Sequence, residues 1–305
     1  MNKEFLDLAE QLKSSVSCTV RLNELMSGHT SFKIGGPADI LVLPESIEQL
    51  REVLKVVKET VVPLTLLGNG SNVLVRDKGI RGIVIKLGNM LRHFYEAEDL
   101  LVFGSGYSLA LASYKAMECG KTGMEFAVGI PGSIGGAVYM NAGAYDGEMQ
   151  NIVNCVKVMD LQGNERVLTA EELNFGYRKT SLQNSGLIVT EVTLKMPSGD
   201  KDEIKSKMDD FSHRRISKQP LEMPSAGSMF KRPPGYFAGT LIDQAGLKGY
   251  TVGGAQISTK HAGFVVNVGG APAADVLQLI KDVQTKIKAG VGVELQPEVL
   301  VIGEE

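Results

Sequence analysis

The stretch from Gly123 to Gly147, GMEFAVGIPGSIGGAVYMNAGAYDG, constrains the fold of this chain more than any other. Seven of its 25 residues are glycine, and the 20 residues from Phe126 to Tyr145 carry no charged side chain. A run of that length can span a bilayer, but Pro131, Asn141 and the glycines would leave backbone polar groups without partners in lipid. The stretch therefore predicts a buried loop system, in which glycine permits positive φ and close approach to a large anionic ligand.

A second glycine-rich segment, GNGSN at 68–72, follows an apolar run from Val61 to Leu67 that predicts a strand. Its successive amide groups, with its serine and asparagine side chains, suit an anion such as a pyrophosphate. Either segment alone is more typical of a tight turn, but the two together favour a nucleotide cofactor. The segment leads into the apolar residues Val73–Val75 rather than into a helix, so the GxGxxG fingerprint of a Rossmann fold is absent.

Length and charge limit the class of protein. The 305 residues exceed what one hydrophobic core usually holds, and they predict two domains or three small ones. The net charge is −3 and no long block of Lys or Arg occurs, so no nucleic-acid partner is expected. The start, MNKEFLDLAEQLKSS, carries acidic residues where a secretory signal needs a basic and then an apolar segment. We expect a cytoplasmic protein with no membrane association.

Cysteine and histidine are dispersed along the chain. The three cysteines, Cys18, Cys119 and Cys155, are far apart and odd in number, which fits a reducing compartment better than a disulfide framework. The four histidines, at positions 29, 93, 213 and 261, are equally scattered. No metal site is predicted, because neither residue type shows the spacing of metal ligands.

Hydrophobic periodicity predicts a mixture of short helices and strands, which indicates the α+β class. Helices are predicted over 3–13, 239–245 and 273–288, and a further helix is predicted to follow the charged run and to end near Arg215. Two more have a serine at the N-cap. One follows Ser46, with Gln49 three residues later as a capping box requires, and the other covers 109–119 after Ser108. Strands are predicted over 40–43, 61–67, 73–75, 82–87, 100–103, 152–160, 187–196, 263–268 and 299–302. The charged run 198–210 marks the predicted domain boundary.

Five separated motifs resemble those of the MurB family, the flavoprotein UDP-N-acetylenolpyruvoylglucosamine reductases of bacterial peptidoglycan synthesis. They are GNGSNVLVRD (68–77), GIPGSIGGAVYMNAGAY (129–145), GYRKTS (176–181), SAGSMFKRP (225–233) and LQPEV (295–299). The resemblance runs in order over residues 30 to 302. It is more specific than any single glycine-rich loop.

The resemblance implies an FAD-binding domain of the vanillyl-alcohol-oxidase (PCMH) type in two subdomains, followed by a C-terminal α+β substrate-binding domain. The implied limits are 1–29 for an N-terminal helix and lead-in, 30–198 for the FAD domain and 199–305 for the substrate domain. FAD is expected to be noncovalent, because no His or Cys lies in an attachment context. The implied cofactor-binding residues are Gly68, Asn69, Gly70, Ser71, Asn72, Gly129, Gly132, Ser133, Gly135 and Gly136.

The family's reaction implies roles for three further residues. NADPH is the expected co-substrate, and hydride passes from flavin N5 to C3 of the enolpyruvyl group before C2 is protonated. Ser228 matches the proton donor to C2. Arg178 matches a donor that stabilises the developing aci-carboxylate, and Glu298 a second catalytic group. A serine hydroxyl is a weak acid and needs neighbours that stabilise its alkoxide or resupply its proton.

The UDP-sugar substrate requires cations or amides for its diphosphate. The candidates are Lys218, Lys231, Arg232 and His261. The connection after Arg178 is short, so the chain resembles the second type within the family, which lacks a tyrosine-bearing loop over the substrate.

Two alternatives stay open at this point. The first is an FAD oxidase or dehydrogenase of the same superfamily, which would need an attachment histidine and leave the SAGSMF and QPEV motifs unexplained. The second is a non-catalytic nucleotide-binding or UDP-sugar-binding protein, which would bind no flavin and show no activity with NADPH.

Overall fold

The computed structural model describes residues 3–88 and 90–305. Within that part of the chain the helices are α1 (Lys3–Ser15), α2 (Ile47–Lys58), α3 (Leu109–Glu118), α4 (Ile134–Tyr139), α5 (Lys201–Lys218), α6 (Ala238–Gln244) and α7 (Ala273–Val291). Short 3₁₀ turns lie at Met26–Gly28, Glu125–Ala127 and Met149–Asn151.

The strands are mostly short. They are β1 (Thr19–Leu25), β2 (Pro37–Leu43), β3 (Leu64–Leu67), β4 (Val73–Val75), β5 (Ile80–Lys86), β6 (Phe94–Ala97), β7 (Leu100–Gly104), β8 (Gly143–Ala144), β9 (Gly147–Glu148), β10 (Val153–Met159), β11 (Glu165–Thr169), β12 (Ile188–Lys195), β13 (Ser225–Ser228), β14 (Thr251–Val252), β15 (Ala255–Ile257), β16 (Phe264–Asn267) and β17 (Leu300–Ile302). One four-stranded sheet has the order β1-β2-β5-β3, in which β3 and β5 are parallel.

The chain forms two compact units, each assembled from three separate segments. The first unit comprises Met1–Leu22, Ile40–Asn69 and Gly82–Arg214, and the second comprises Asn23–Asp39, Gly70–Arg81 and Arg215–Glu305. The predicted limits 1–29, 30–198 and 199–305 stay a prediction, because compactness alone does not define a domain that folds independently.

The first unit contains two hydrophobic cores. An antiparallel sheet of order β11-β10-β12-β7-β6 packs its apolar face on α3, α4 and the glycine-rich stretch. The second core lies between α1, α2 and the sheet that holds β2 and β5. Leu8, Ala9 and Leu12 of α1 are buried there at the predicted helical spacing.

The second unit packs α6 and α7 on the sheet β13-β16-β15-β14. Asp77, nearly 200 residues earlier in the chain, accepts hydrogen bonds from the amides of Ala273 and Ala274 at 2.6 and 2.9 Å. It therefore caps the first turn of α7, whose own N-cap, Pro272, has no side-chain donor or acceptor. Strand β4 pairs in parallel with β17 in the same unit.

Most predicted elements are confirmed, including both serine caps. Ser46 accepts from the Gln49 amide and Ser108 from the Leu111 amide, as their positions before α2 and α3 require. The strand predicted over Val61–Leu67 is wrong in its first half and begins at Leu64. Val61 is 95% exposed, and Pro63 lacks an amide for strand pairing.

Some features of the fold were not predicted. Strands β6 and β11 are edge strands with several exposed residues, so they lack the apolar run that marks a central strand. The glycine-rich stretch is not loop throughout, since its residues IGGAVY form α4.

Within the part of the chain that the structure describes, no helix is long and apolar enough to cross a bilayer.

Candidate functional site

In the first unit, the residue that follows β3, Gly68, lies close to Ser133 of the central glycine-rich stretch. A Cβ built on Gly68 would lie 3.4 Å from Oγ of Ser133. The side chain of Asn69 occupies the position where a Cβ on Gly88 would lie, 2.1 Å from its Oδ1. A side chain at position 88 would therefore displace Asn69, whereas a Cβ at position 68 would make only an ordinary contact with Ser133.

The segment 105–109 pairs with the segment 132–135 and fixes the start of α4. The Leu109 amide donates to Gly132 O at 3.1 Å, and the Gly135 amide donates to Ser105 O at 2.9 Å. Ser133 caps α4 by accepting from the Gly136 amide at 3.3 Å. The amides of Gly135 and Gly136 are thus bound within the protein, which favours a packing role for these two predicted cofactor residues.

Three other glycines of these segments have a backbone conformation that favours glycine. Gly129 and Gly132 have φ of 73° and 130°, and Gly70 has φ of 68°, values that L side chains rarely adopt. A Cβ on Gly70 would lie 2.4 Å from His29 O. Glycine-rich loops with such conformations can present successive amide groups to an anion, so each segment taken by itself suits a phosphate group.

We expect Gly135→Ala to weaken both the fold and FAD retention. The added Cβ would lie 2.8 Å from Cβ of Ser105, which belongs to packed backbone and cannot swing away. Overpacking of this kind costs about 1–3 kcal/mol. The thermal midpoint and the ratio of absorbance at 450 nm to that at 280 nm measure the two effects.

Gly290→Ala is the control for this substitution, because it lies in α7 with nothing within 4 Å of its built Cβ. It is expected to stabilise the protein by roughly 0.5–1 kcal/mol, since alanine suits a helix interior better than glycine. Equal flavin content and stability in the Gly135→Ala variant and the unmodified protein would contradict the packing role of Gly135.

A buried carboxylate anchors the start of the central stretch. Glu125 is only 3% exposed and accepts hydrogen bonds from the Thr122 hydroxyl at 2.6 Å and the Gly123 amide at 2.7 Å. Lys207 of α5 lies 3.7 Å away. Burial raises the pKa of the Glu125 carboxyl, but these hydrogen bonds and the lysine charge outweigh it, so the pKa lies below its ordinary value of 4.5.

We expect Glu125→Gln to lower the free energy of unfolding at pH 7 by about 1.5–3 kcal/mol, the range for a hydrogen bond to a charged group. Because the folded pKa is depressed, the carboxylate's contribution is complete above pH 4.5, the ordinary value, and is lost as pH falls through the folded pKa. Denaturant titrations of both proteins between pH 3 and 7 measure this.

The control is Glu118→Gln, which removes an exposed partner of Lys115 on α3 and should change stability by less than about 1 kcal/mol. A Glu125→Gln deficit that stays constant from pH 7 to pH 3 would show that lost packing, rather than charge, is responsible.

Arg178 lies at the corner of a two-residue hairpin in the first unit. Gly176 and Lys179 exchange backbone hydrogen bonds at 2.9 and 3.1 Å, and Arg178 has φ of 55°. Its Nη1 and Nη2 donate to the carbonyl oxygens of Asn141 and Gly143 at 3.3 and 3.0 Å. The half-buried guanidinium is therefore held against the central glycine-rich stretch.

In the second unit, the motifs around Ser228 and Glu298 lie on adjacent backbone. The Glu298 amide donates to Met229 O at 2.8 Å, and the Lys231 amide donates to Gln296 O at 2.8 Å. Asn72 joins them, since its Nδ2 donates to Glu298 O at 3.3 Å. Residues from three distant parts of the chain, all singled out from the sequence, are thus brought together.

The Ser228 segment also contacts the loop that carries His261, through the amide of Met229. The Met229 amide donates to Gly263 O at 2.8 Å, and Nδ1 of His261 accepts from the Gly263 amide at 3.0 Å. Burial lowers the pKa of His261 below 6.5, with Lys248 and Lys218 adding to the effect. At pH 7 the ring is therefore neutral and carries its proton on Nε2, facing away from Gly263.

The candidate cations differ in their surroundings. Lys218 is exposed at the end of α5, and Lys231 is half-buried beside the Ser228 segment. The guanidinium of Arg232 lies 3.9 Å from the ring centroid of Phe237, which is 59% exposed. The sequence analysis did not single out Phe237, although Pro233, Pro234 and Gly235 just before it indicate a turn or loop.

Comparison with known proteins identifies the class. Residues 38–169 match the family model of an FAD-binding domain. Residues 219–302 match the C-terminal domain of UDP-N-acetylenolpyruvoylglucosamine reductase. The first match makes the chain a flavin-dependent protein, and the second indicates which oxidoreductase family it resembles.

Full-length relatives agree with both models. The chain is 49% identical over 286 residues to the UDP-N-acetylenolpyruvoylglucosamine reductase of Clostridioides difficile strain 630, covering 94% of each chain. It is 50% identical over 302 residues to the enzyme of that name from Clostridium perfringens strain SM101, covering 99% of this chain and 98% of the relative.

A solved structure gives the same result. The crystal structure of UDP-N-acetylenolpyruvylglucosamine reductase from Thermus caldophilus superposes with a TM-score of 0.79 at 38% identity, covering 94% of this chain and 99% of that one. The chain belongs to the UDP-N-acetylenolpyruvoylglucosamine reductase family, FAD-dependent oxidoreductases of peptidoglycan precursor synthesis. The predicted family and fold class are confirmed.

Proposed function

We propose that the protein uses NADPH and noncovalent FAD to reduce UDP-N-acetylglucosamine enolpyruvate to UDP-N-acetylmuramate. The observation that carries the proposal is the pairing of the Ser228 and Glu298 segments in the second unit, through the Glu298 amide and Met229 O at 2.8 Å. This pairing brings together the two motifs that would be unexplained in an FAD oxidase or in a non-catalytic binding protein.

We propose that FAD is held by the segments 68–72 and 129–136, with Gly135 and Gly136 contributing through packing. When bound, it supplies hydride from N5 to C3 of the enolpyruvyl group after reduction by NADPH. Noncovalent binding is supported by the absence of His and Cys from both segments.

Three side chains act on the substrate in this proposal. Arg178 donates hydrogen bonds to the substrate carboxylate as negative charge develops on it, and its fixed fork suits two oxygens. Ser228 delivers the proton to C2, and its exposed position at the end of β13 leaves the hydroxyl accessible. Glu298, half-buried beside that segment, hydrogen-bonds the intermediate.

Four residues are proposed to bind the UDP-sugar. Lys218, Lys231 and Arg232 supply positive charge for the diphosphate, and neutral His261 supplies its Nε2–H as a donor.

The location is proposed to be cytoplasmic, because all three cysteines are free thiols, as a reducing compartment allows.

The test is anaerobic visible spectroscopy of the purified holoenzyme through both half-reactions. The flavin bands are expected to bleach when NADPH is added and to return when the enolpyruvyl UDP-sugar follows, with UDP-N-acetylmuramate as the product. A flavin that bleaches with NADPH but is not reoxidised by this sugar nucleotide would reject the proposed substrate. Bleaching of the flavin bands by NADH but not by NADPH would reject NADPH as the co-substrate.

A further inference from the structure

Asn141, in the central glycine-rich stretch, is fully buried and uses every polar group of its side chain. Its Nδ2 donates to Gly176 O at 3.0 Å and to Oε2 of Glu148 at 3.1 Å. Its Oδ1 accepts from the Gln150 amide at 3.0 Å. A buried amide with all its hydrogen bonds made is held in one orientation, because any rotation would leave buried groups unpaired.

The backbone of the same residue contacts the Arg178 side chain directly. The carbonyl oxygen of Asn141 accepts from Nη1 of Arg178 at 3.3 Å. Asn141 has φ of 42°, a left-handed conformation that asparagine tolerates better than most residues. Asn141 therefore contacts the hairpin twice, through its side chain to Gly176 O and through its carbonyl oxygen to the Arg178 guanidinium.

Neighbouring bonds attach the hairpin to the same end of α4. The hydroxyl of Thr180 donates to Tyr139 O at 2.9 Å, and Nε2 of Gln183 donates both to Tyr139 O at 3.2 Å and to Arg178 O at 3.1 Å. Since Asn141 holds the opposite side of the hairpin through Gly176 O, the Arg178 corner is fixed from two directions.

We propose that Asn141 is the positioning residue for Arg178. Its side chain fixes the hairpin and its carbonyl orients the guanidinium, so that the donors are in place before negative charge develops on the substrate. The inference rests on the proposed role of Arg178. Preorganised donors are effective because no reorganisation is needed as the reaction proceeds, and small displacements cost large factors in rate.

The test substitution is Asn141→Asp, which keeps the shape and the acceptor for the Gln150 amide. It removes the donor to Gly176 O and places a second carboxylate beside Glu148. In the FAD-loaded enzyme, flavin reduction by NADPH is expected to stay within about twofold, while reoxidation by the enolpyruvyl UDP-sugar slows by roughly 10²-fold, as expected for a small displacement of a reacting group.

Asn174→Asp is the matched control, because Asn174 also has a left-handed φ, 44°, but is exposed. It should leave both half-reactions unchanged. The thermal midpoint and flavin content of each variant establish that it is folded. Adding Glu148→Gln to Asn141→Asp should restore part of the lost rate, since a glutamine amide can donate to the new carboxylate.

A double-substitution cycle with Arg178→Lys separates positioning from general loss of structure. If Asn141 acts through Arg178, Asn141→Asp slows reoxidation much less in the Arg178→Lys background than in the unmodified enzyme. Additive effects, or normal reoxidation in a folded Asn141→Asp variant when Arg178→Lys is impaired, would overturn the inference alone. Normal reoxidation in both Arg178→Lys and Arg178→Ala would instead overturn the proposed role of Arg178.

Discussion

Replacing Ser228 with alanine is expected to leave flavin reduction by NADPH at its normal rate and to slow product formation by about 10²–10⁴-fold, the usual contribution of a positioned general acid. Ser228 is exposed at the end of β13, opposite Phe264, so removal of its hydroxyl creates no buried cavity. Stopped-flow absorbance at 450 nm, followed separately with NADPH and with the enolpyruvyl UDP-sugar, measures the two half-reactions.

The matched control is Ser206→Ala, an exposed serine on α5 that should change neither rate. Product analysis in D₂O adds a second measurement, because the proton delivered to C2 then comes from exchanged solvent and the product gains one deuterium there. Normal product formation by Ser228→Ala would assign the proton to another donor and remove Ser228 from the proposed mechanism.

Arg178→Lys is expected to lower the rate of reoxidation by the enolpyruvyl UDP-sugar by about 10²–10³-fold, the effect of losing one preorganised donor to a developing oxyanion. Lysine keeps the positive charge but lacks the planar fork that reaches two oxygens. It also cannot reproduce both contacts to Asn141 O and Gly143 O, so its amine would not be held in the same place.

Arg214→Lys is the control for this prediction. Arg214 is exposed on α5, where it pairs with Asp210 one turn away, and its replacement by lysine should affect neither half-reaction. If Arg178→Lys retained full activity while Arg178→Ala lost it, a point charge would suffice and the bidentate role would be wrong.

Local features of the sequence were enough for most elements of secondary structure. The serines before α2 and α3 and the apolar spacing of α1 predict helices because caps and amphipathic faces depend on residues within about four positions. The strand at Val61 was overextended because apolar character alone does not report the missing amide of Pro63. The edge strand β11 was not predicted, because most of its side chains are exposed and it therefore lacks the apolar pattern of a buried strand.

The candidate site was predicted only as a set of motifs. The sequence singled out Asn72, Ser228 and Glu298, but nothing in the local pattern indicates that Asn72 binds Glu298 O or that Glu298 pairs with Met229. The resemblance to one family supplied their proposed roles. Asn141 and Glu125 were given no role in the site, because a lone asparagine or glutamate is usually exposed and its burial depends on distant neighbours.

By itself the sequence determined the α+β class, the helix starts and the glycines that permit close backbone approach, because these depend on each residue's own conformational range and near neighbours. The tertiary structure decided which segments pair, that the Gly135 amide donates to Ser105 O, and that the Asn141 side chain donates to Gly176 O in the Arg178 hairpin. Such contacts join residues that are far apart in the chain, as for Asn72 and Glu298, which are 226 positions apart. They exist only when the whole chain has folded, because each depends on the packing of all the others.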